Sequence, residues 1–566
     1  MSHPPHRSGF SRGQFLMTTL AILGGTTWAA FALSGDSSTD RSTETTLRFG
    51  AARTVESTGD GPRFEGRFVA KLATEGPAFR LAAGGKSQVD PIEANGTIFV
   101  DWPKPDVALL FTGEQMGFLE PCGCAGLENQ KGGFKRRFTL MKELRDDGWP
   151  IVAMDAGGLI RRYGPQAQIK LHWSYDGLRQ MGYAAVGFGD KDLRLDVLSE
   201  AANLTPNPIV SANIGLVDFD AGFTQRFRVV ESGGYRIGMT TVMGTKETEA
   251  VAEMRDLVTL PPVEAIAQVL PELEAQECDE LVLLVYGDVD ETRALAEQFP
   301  QFGWVVAGKG GDEPPHKAIP LAGGKTQLIE VGHKGMYAVV VGLYKQGEPR
   351  TRYQKVPLDH RFDDALEMQD LLVQYQDQLK TLVTSDLGFT PLTGKPASAP
   401  GGGFAGSEIC ADCHSTACEI FMNSPHAHAT QTLVDLDPPR HYDPECLSCH
   451  VTGWNPQGYV PYATGYTNLE ATAHLTTNGC ENCHGAALSH ADAELGNIDA
   501  TEAQIEDLRT ALRMKIGENE GNLDGQETGK VVDNCLECHD LDNSPDFDFQ
   551  EYWNREDKPV KHYGKD

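Results

Sequence analysis

The stretch GCENCHG, Gly479–Gly485, carries two cysteines separated by two residues and a histidine directly after the second. Three chemistries use paired cysteines at this spacing: half of a zinc site, a redox dithiol, or thioether attachment of a haem. The pattern occurs as CADCH (Cys410, Cys413, His414), CLSCH (Cys446, Cys449, His450), CENCH (Cys480, Cys483, His484) and CLECH (Cys535, Cys538, His539). A zinc site needs a second CxxC or a spaced histidine pair, and it gives no reason for a histidine after every cysteine pair. A thioredoxin-like dithiol stands singly on a strand-to-helix turn. Two thiols that add to porphyrin vinyl groups, followed by an imidazole that lies under the iron, account for every copy. The four copies predict four covalently held haem c groups, with His414, His450, His484 and His539 as proximal iron ligands.

The surrounding segment is built for such a filling. Beyond Gly406 lie ten of the sixteen histidines and nine of the twelve cysteines, while strand-like runs fade and Gly- and Pro-containing loops dominate. So few aliphatic residues make a poor core by themselves, and the macrocycles are expected to supply it. Six further histidines are available for the far side of the irons. His426, His490 and His562 are the foremost distal candidates, and His428, His441 and His474 compete for the remaining place. A second histidine closes an iron for electron transfer, whereas an empty position leaves it open to small ligands. Cys278 and Cys418 are expected to be buried as small apolar residues.

Upstream, the 566-residue chain is too long for one core. Arg7 and Arg12 precede an apolar run from Phe15 to Leu33, the pattern of an export signal. Ala30-Phe31-Ala32 is a weak cleavage site, and Ser11–Leu16 resembles a twin-arginine signal with Gly13 at the second arginine. The expectation is therefore a segment of residues 1–34 that anchors the chain outside the cytoplasm or is removed as a signal. Residues 35–104 follow as a tether, polar up to Arg63, and N-terminal extension. From 105 to 360, apolar runs such as DVALLF, PIVAMD, NPIVSANI and LVLLVYG alternate with helix-like stretches, which predicts an α/β domain with a buried sheet. Residues 361–406 comprise an amphipathic helix, Ala365–Val383, and a Pro/Gly-rich linker; the haem-binding domain occupies 407–566.

Two resemblances add to this reading. The blocks FAGSEICADCH, NSPHAHA, ECLSCHVTGW, GCENCHGAALSH and CLECHDLDNSPDFDFQEYW, spanning residues 404–566, resemble the tetrahaem cytochrome c family of the hydroxylamine-oxidoreductase electron-acceptor type. That resemblance implies closely stacked haems, mostly bis-histidine ligation and electron transfer, with one iron able to lack a sixth ligand. The blocks LLFTGEQMGFLEPCGC, VAMDAGG, AVGFGDKDL and VVAGKGG, within residues 105–343, resemble the calcineurin-like metallophosphoesterases of 5′-nucleotidase type. The implied fold class is thus a multidomain chain: a metallophosphoesterase-like α/β four-layer sandwich followed by a mainly α-helical, loop-rich multihaem cytochrome c domain. The family's two-metal ligands are largely replaced. Glu114 and Met116 stand in the Asp-x-His positions, and Gly158 stands for the Gly-Asp carboxylate. Asp190 and Lys191 replace the Asn-His pair, Tyr286 a strand-end histidine, and Lys309 and Gly311 the last two histidines. Met, Gly and protonated Lys are poor or repulsive ligands for such ions. A catalytically dead domain is expected. Cys122 and Cys124 in the PCGC stretch are expected to form a structural turn or a local disulfide, with a redox pair as the alternative.

The expected function is therefore electron transfer between redox partners. The alternatives are a haem redox enzyme acting on a small nitrogen, oxygen or sulfur compound, or an active metallophosphoesterase. The net charge of −31 argues against a nucleic-acid partner. Residues 401–566 hold 29 acidic and 9 basic residues, which suits redox partners with basic docking surfaces. The membrane is engaged, on this reading, through the N-terminal segment.

Overall fold

The computed structural model describes residues 90–121, 130–384, 390–393, 402–514, 530–544, 547–557 and 560–562. Cys122, Cys124, the expected anchor of residues 1–34 and the tether lie outside the described residues. Among those described, no helix is long and apolar enough to cross a membrane.

Two mixed sheets form the first part. The strands are β1 (Val107–Thr112), β2 (Ile151–Asp155), β3 (Tyr183–Val186), β4 (Ile214–Leu216), β5 (Arg228–Ser232), β6 (Tyr235–Met243) and β7 (Leu257–Thr259). They continue with β8 (Glu280–Asp288), β9 (Trp304–Lys309), β10 (Ile319–Leu321), β11 (Thr326–Glu330), β12 (Tyr337–Leu343) and β13 (Thr351–Pro357). One sheet has the order β13-β12-β1-β2-β3 and the other β10-β11-β9-β8-β6-β5. β1 pairs parallel with β2, from Ala108 opposite Ile151 to Thr112 opposite Asp155, and antiparallel with β12.

Side-chain alternation explains the layering. In β1, Leu109 and Phe111 join Met154, Met239, Leu284 and Val306 in a core between the sheets. Ala108 and Leu110 point the other way, onto Phe134, Leu140, Leu171 and Leu178 of the helices Phe134–Asp146 and Pro165–Gln180. On the far sheet, Leu283, Val285 and Val305 pack on Ile266, Val269 and Leu295 of the helices Pro262–Glu274 and Val289–Gln298. Strands buried on both faces read as continuous apolar runs. The result is a helix–sheet–sheet–helix sandwich. The run NPIVSANI is the exception to the strand reading: Ile209 and Val210 make only isolated bridges, and β4 starts at Ile214.

The second part is built from short helices, including Ser407–Ala411, Ser415–Met422, Pro444–His450, Cys480–His484, Leu488–Glu494, Glu502–Leu512 and Lys530–Leu536. Its main apolar cluster is small, centred on Phe404, Leu433, Leu447, Val451, Trp454, Tyr466 and Leu475. Residues 78–566, holding both parts, form one compact unit. The helix Gln369–Thr384 packs on Pro165–Gln180 and also reaches the second part, where Gln376 Nε2 donates to Asp443 at 3.1 Å. Cys278 departs from expectation: it is only partly buried, because its thiol meets the Arg236 side chain at the surface. Cys418 is buried as expected.

Candidate functional site

Each CxxCH motif lies on a single helical turn. His414 N–H and Cys413 N–H both donate to Cys410 O, at 2.8 and 3.3 Å, and His539 and Cys538 do the same to Cys535 O at 2.8 and 3.2 Å. The other two motifs lie in the helices Pro444–His450 and Cys480–His484. Positions i, i+3 and i+4 of a turn share one face, so both thiols and the imidazole project together. The second helix is capped by Asp443, which accepts from Glu445 N–H at 3.0 Å.

The motifs adjoin one another. The thiols of Cys410 and Cys480 are hydrogen-bonded, as are those of Cys449 and Cys538. Donation from Cys410 brings the Cys480 thiol down to about 7. The first motif is therefore next to the third, and the second next to the fourth.

A cavity of 680 Å³ opens between the second, third and fourth motifs, lined by Cys449, His450, Cys483, His484, Cys535, Cys538, His539 and His426. The imidazoles facing it are prepared as neutral ligands. His450 Nδ1 bonds Ala429 O at 2.7 Å and His484 Nδ1 bonds Leu512 O at 2.8 Å, which leaves Nε2 of each for a metal. His539 Nδ1 lies 3.2 Å from Ser544 Oγ. Burial lowers the pKa of His450 and His484, and burial with His426 and His450 close by takes His539 to about 4.

Two of the foremost distal candidates lie beside histidines of the motifs. The rings of His426 and His539 have centroids 6.1 Å apart, and those of His484 and His562 are 5.6 Å apart. One metal atom bonded at about 2 Å to each of two imidazoles needs ring centres roughly 6 Å apart. Burial lowers the His490 pKa, Glu494, 3.8 Å from its Nδ1, opposes the fall, and the nearby His414 adds to it; that Nδ1 is buried without a hydrogen bond among the described residues. His428 and His474 are exposed. The His441 ring lies tilted against Tyr442, with centroids 4.2 Å apart, and burial lowers its pKa with a further contribution from Lys380. Thiols, neutral imidazoles and space together fit covalently attached haem.

The comparisons agree with this chemistry. Residues 409–485 match the family of cytochrome c554 and c-prime. That family implies covalently bound haem c. A 102-residue stretch is 33% identical to cytochrome c-554 of Nitrosomonas europaea, covering 16% of this chain and 40% of that protein. The sandwich is similar to a 5′-nucleotidase precursor from Thermus thermophilus, with a TM-score of 0.41 and 17% identity over 49% of this chain and 59% of that one. It is also similar to the calcineurin-like phosphoesterase YfkN from Bacillus subtilis, with a TM-score of 0.38 and 13% identity over 48% of this chain and 97% of that one.

In the sandwich, the altered positions gather around a 280 Å³ pocket: Glu114, Met116, Gly158, Asp190, Lys191, Tyr286 and Lys309 all line it. Gly311 does not; its N–H donates to Glu330 at 3.2 Å instead. Burial raises the Glu114 pKa while a hydrogen bond from Tyr286 opposes the rise. Although burial disfavours its charge, Lys309 is held above the ordinary ammonium range by Glu247, 2.7 Å away. Among the described residues no group of three or more His, Cys, Asp or Glu side chains is arranged to hold a metal ion.

Two features had no signal in the sequence. Glu481, inside the third motif, is buried and accepts from Ala405, Gly406 and Ala487 N–H at 2.9, 2.8 and 2.7 Å, so it ties the entry to the first motif to the third. Asp542, three residues after His539, pairs with Arg161 and with Lys334 at 2.6 Å, both from the sandwich.

Proposed function

We propose that the chain is an exported c-type cytochrome that passes electrons between redox partners. Cys410 and Cys413, Cys446 and Cys449, Cys480 and Cys483, and Cys535 and Cys538 would each hold one haem, with His414, His450, His484 and His539 as proximal ligands. When bound, each haem supplies a one-electron ferric/ferrous couple. His426 would complete the axial pair with His539, His562 that with His484, and His490 that with His414. The closeness of the His484 and His562 rings, with centroids 5.6 Å apart, is the observation that carries this reading. Burial lowers the pKa of His426, His450, His484, His490 and His539 and so favours their neutral, metal-binding form. The acidic surface of residues 401–566 would attract basic redox partners and speed encounter.

The sandwich is, on this reading, a scaffold without phosphoesterase turnover. At its pocket the Lys309 ammonium occupies a place where a cation would otherwise bind, and like charges exclude each other. An N-terminal signal or anchor would place the chain on the outer face of the cytoplasmic membrane or in the periplasm, where c-type cytochromes mature.

The deciding experiment is a haem count. Protein matured in a host that attaches haem c should carry four tetrapyrrole adducts by mass spectrometry, and a count of zero would end the proposal. Cyanide and carbon monoxide titrations of the Soret band separate the carrier from a haem enzyme, which would show a ligand-binding iron together with substrate turnover.

A further inference from the structure

We propose that the sandwich sets the reduction potential at the fourth motif, through Arg161 and Lys334 acting on Asp542; this rests on the reading that Cys535, Cys538 and His539 hold a haem. Polar contacts from the sandwich converge on the second and fourth motifs. Lys170 pairs with Glu445 at 2.6 Å and Gln166 donates to Asp443 at 2.8 Å, both at the start of the helix that carries Cys446, Cys449 and His450. Arg162 donates to Gln457 O at 3.0 Å, and Gln457 Nε2 in turn donates to Glu537 O, inside the fourth motif, at 2.7 Å. Asp542 completes the set by taking two cations at once.

That cluster is not a surface ion pair. The side chains of Arg161 and Lys334 are 14% and 12% exposed and that of Asp542 is 26% exposed. Both cations stand against the Phe118 ring, at 4.6 and 5.6 Å from its centroid, so an apolar wall limits screening by water. Glu445 also acts on Arg161 and pairs with Lys170, so the cluster counts three sandwich cations, Arg161, Lys170 and Lys334, against the two carboxylates Asp542 and Glu445, and leaves a local excess of positive charge three residues from His539, inside a region whose formal balance is otherwise strongly acidic. Net charge and solvent exposure are among the levers that set a haem potential. Positive charge disfavours the ferric state, so the cluster raises the potential at the fourth motif above what the acidic surroundings alone would give. Arg161 and Lys334 are positioning residues in this scheme: they act through the field and through Asp542. The consequence is directional. Reducing equivalents would collect toward the face where the cytochrome region meets the sandwich.

The test is an optical redox titration of the full, haem-loaded chain. Lys334→Gln and Arg161→Gln each lower one midpoint potential, Asp542→Asn raises that same component, and Lys334→Arg leaves it in place. A haem count of four and an unchanged Soret band accompany each variant. If the potentials do not move, or if every variant shifts them in the same direction, the inference is overturned and any change is structural. If Arg161→Gln does not fold, the Lys334→Gln, Lys334→Arg and Asp542→Asn comparison still decides it. Absence of an adduct on Cys535 and Cys538 would instead remove the reading beneath it.

Discussion

Gly158→Asp places a carboxylate where the resemblance to calcineurin-like metallophosphoesterases led one to be expected, and the structure states what that costs. Gly158 has φ +78°, a conformation that disfavours side chains, and an added Cβ would lie 2.5 Å from Cε2 of Tyr286 and 3.2 Å from Oε1 of Glu114. The left-handed backbone costs about 1 kcal/mol for Asp, one of the residues that tolerate it best. Overpacking against a buried ring adds roughly 1–3 kcal/mol. The single variant should therefore lose roughly 2–4 kcal/mol in urea unfolding followed by circular dichroism. Tyr286→His shortens the offending ring, so the double variant should recover at least about 1 kcal/mol relative to the sum of the singles. Manganese- or zinc-dependent phosphate-ester hydrolysis should stay at background in all three proteins, because the Lys309–Glu247 pair remains. A cost below about 0.5 kcal/mol for the single variant, or strict additivity, would refute the steric reasoning.

Other perturbations have equally definite outcomes. Asp443→Ala removes the acceptor shared by Gln166, Gln376 and Glu445 N–H, and should cost roughly 3 kcal/mol or more through a lost cap and unpaired buried donors, read as a lower unfolding midpoint. Burial opposes ionisation of Asp542, but Lys334 and Arg161 outweigh it and hold the pKa below its ordinary value. A depressed acid stabilises above its unfolded pKa of about 3.9 and loses that stability as pH falls through the folded value. The stability difference between the unaltered chain and Asp542→Asn should therefore be flat from about pH 5 to 8 and shrink in acid, as pH-dependent unfolding will show. His562→Ala should convert a single haem equivalent from low to high spin and make it bind carbon monoxide, measured by electron paramagnetic resonance and the Soret shift.

Much of the site was legible because the chemistry is local. A CxxCH motif places two thiols and an imidazole on one turn whatever surrounds it, and the structure puts all four on such turns. The sandwich was legible from apolar runs because strands buried on both faces must be apolar, and NPIVSANI shows the limit: Ile209 and Val210 are buried yet make only isolated bridges. Glu481 gave no signal, since an acid inside a motif is indistinguishable from a solvated one until three N–H groups close on it.

By itself, then, the sequence determined which residues can form covalent and axial bonds, because those bonds depend on side-chain type and on spacing within one turn. Only the tertiary structure decided the partners. His426 meets His539 across 113 residues of chain, His484 meets His562, and the cations that neutralise Asp542 come from two distant loops of the sandwich. Charge and ligand pairing act through space, and distance in space is set by packing, which no short motif encodes.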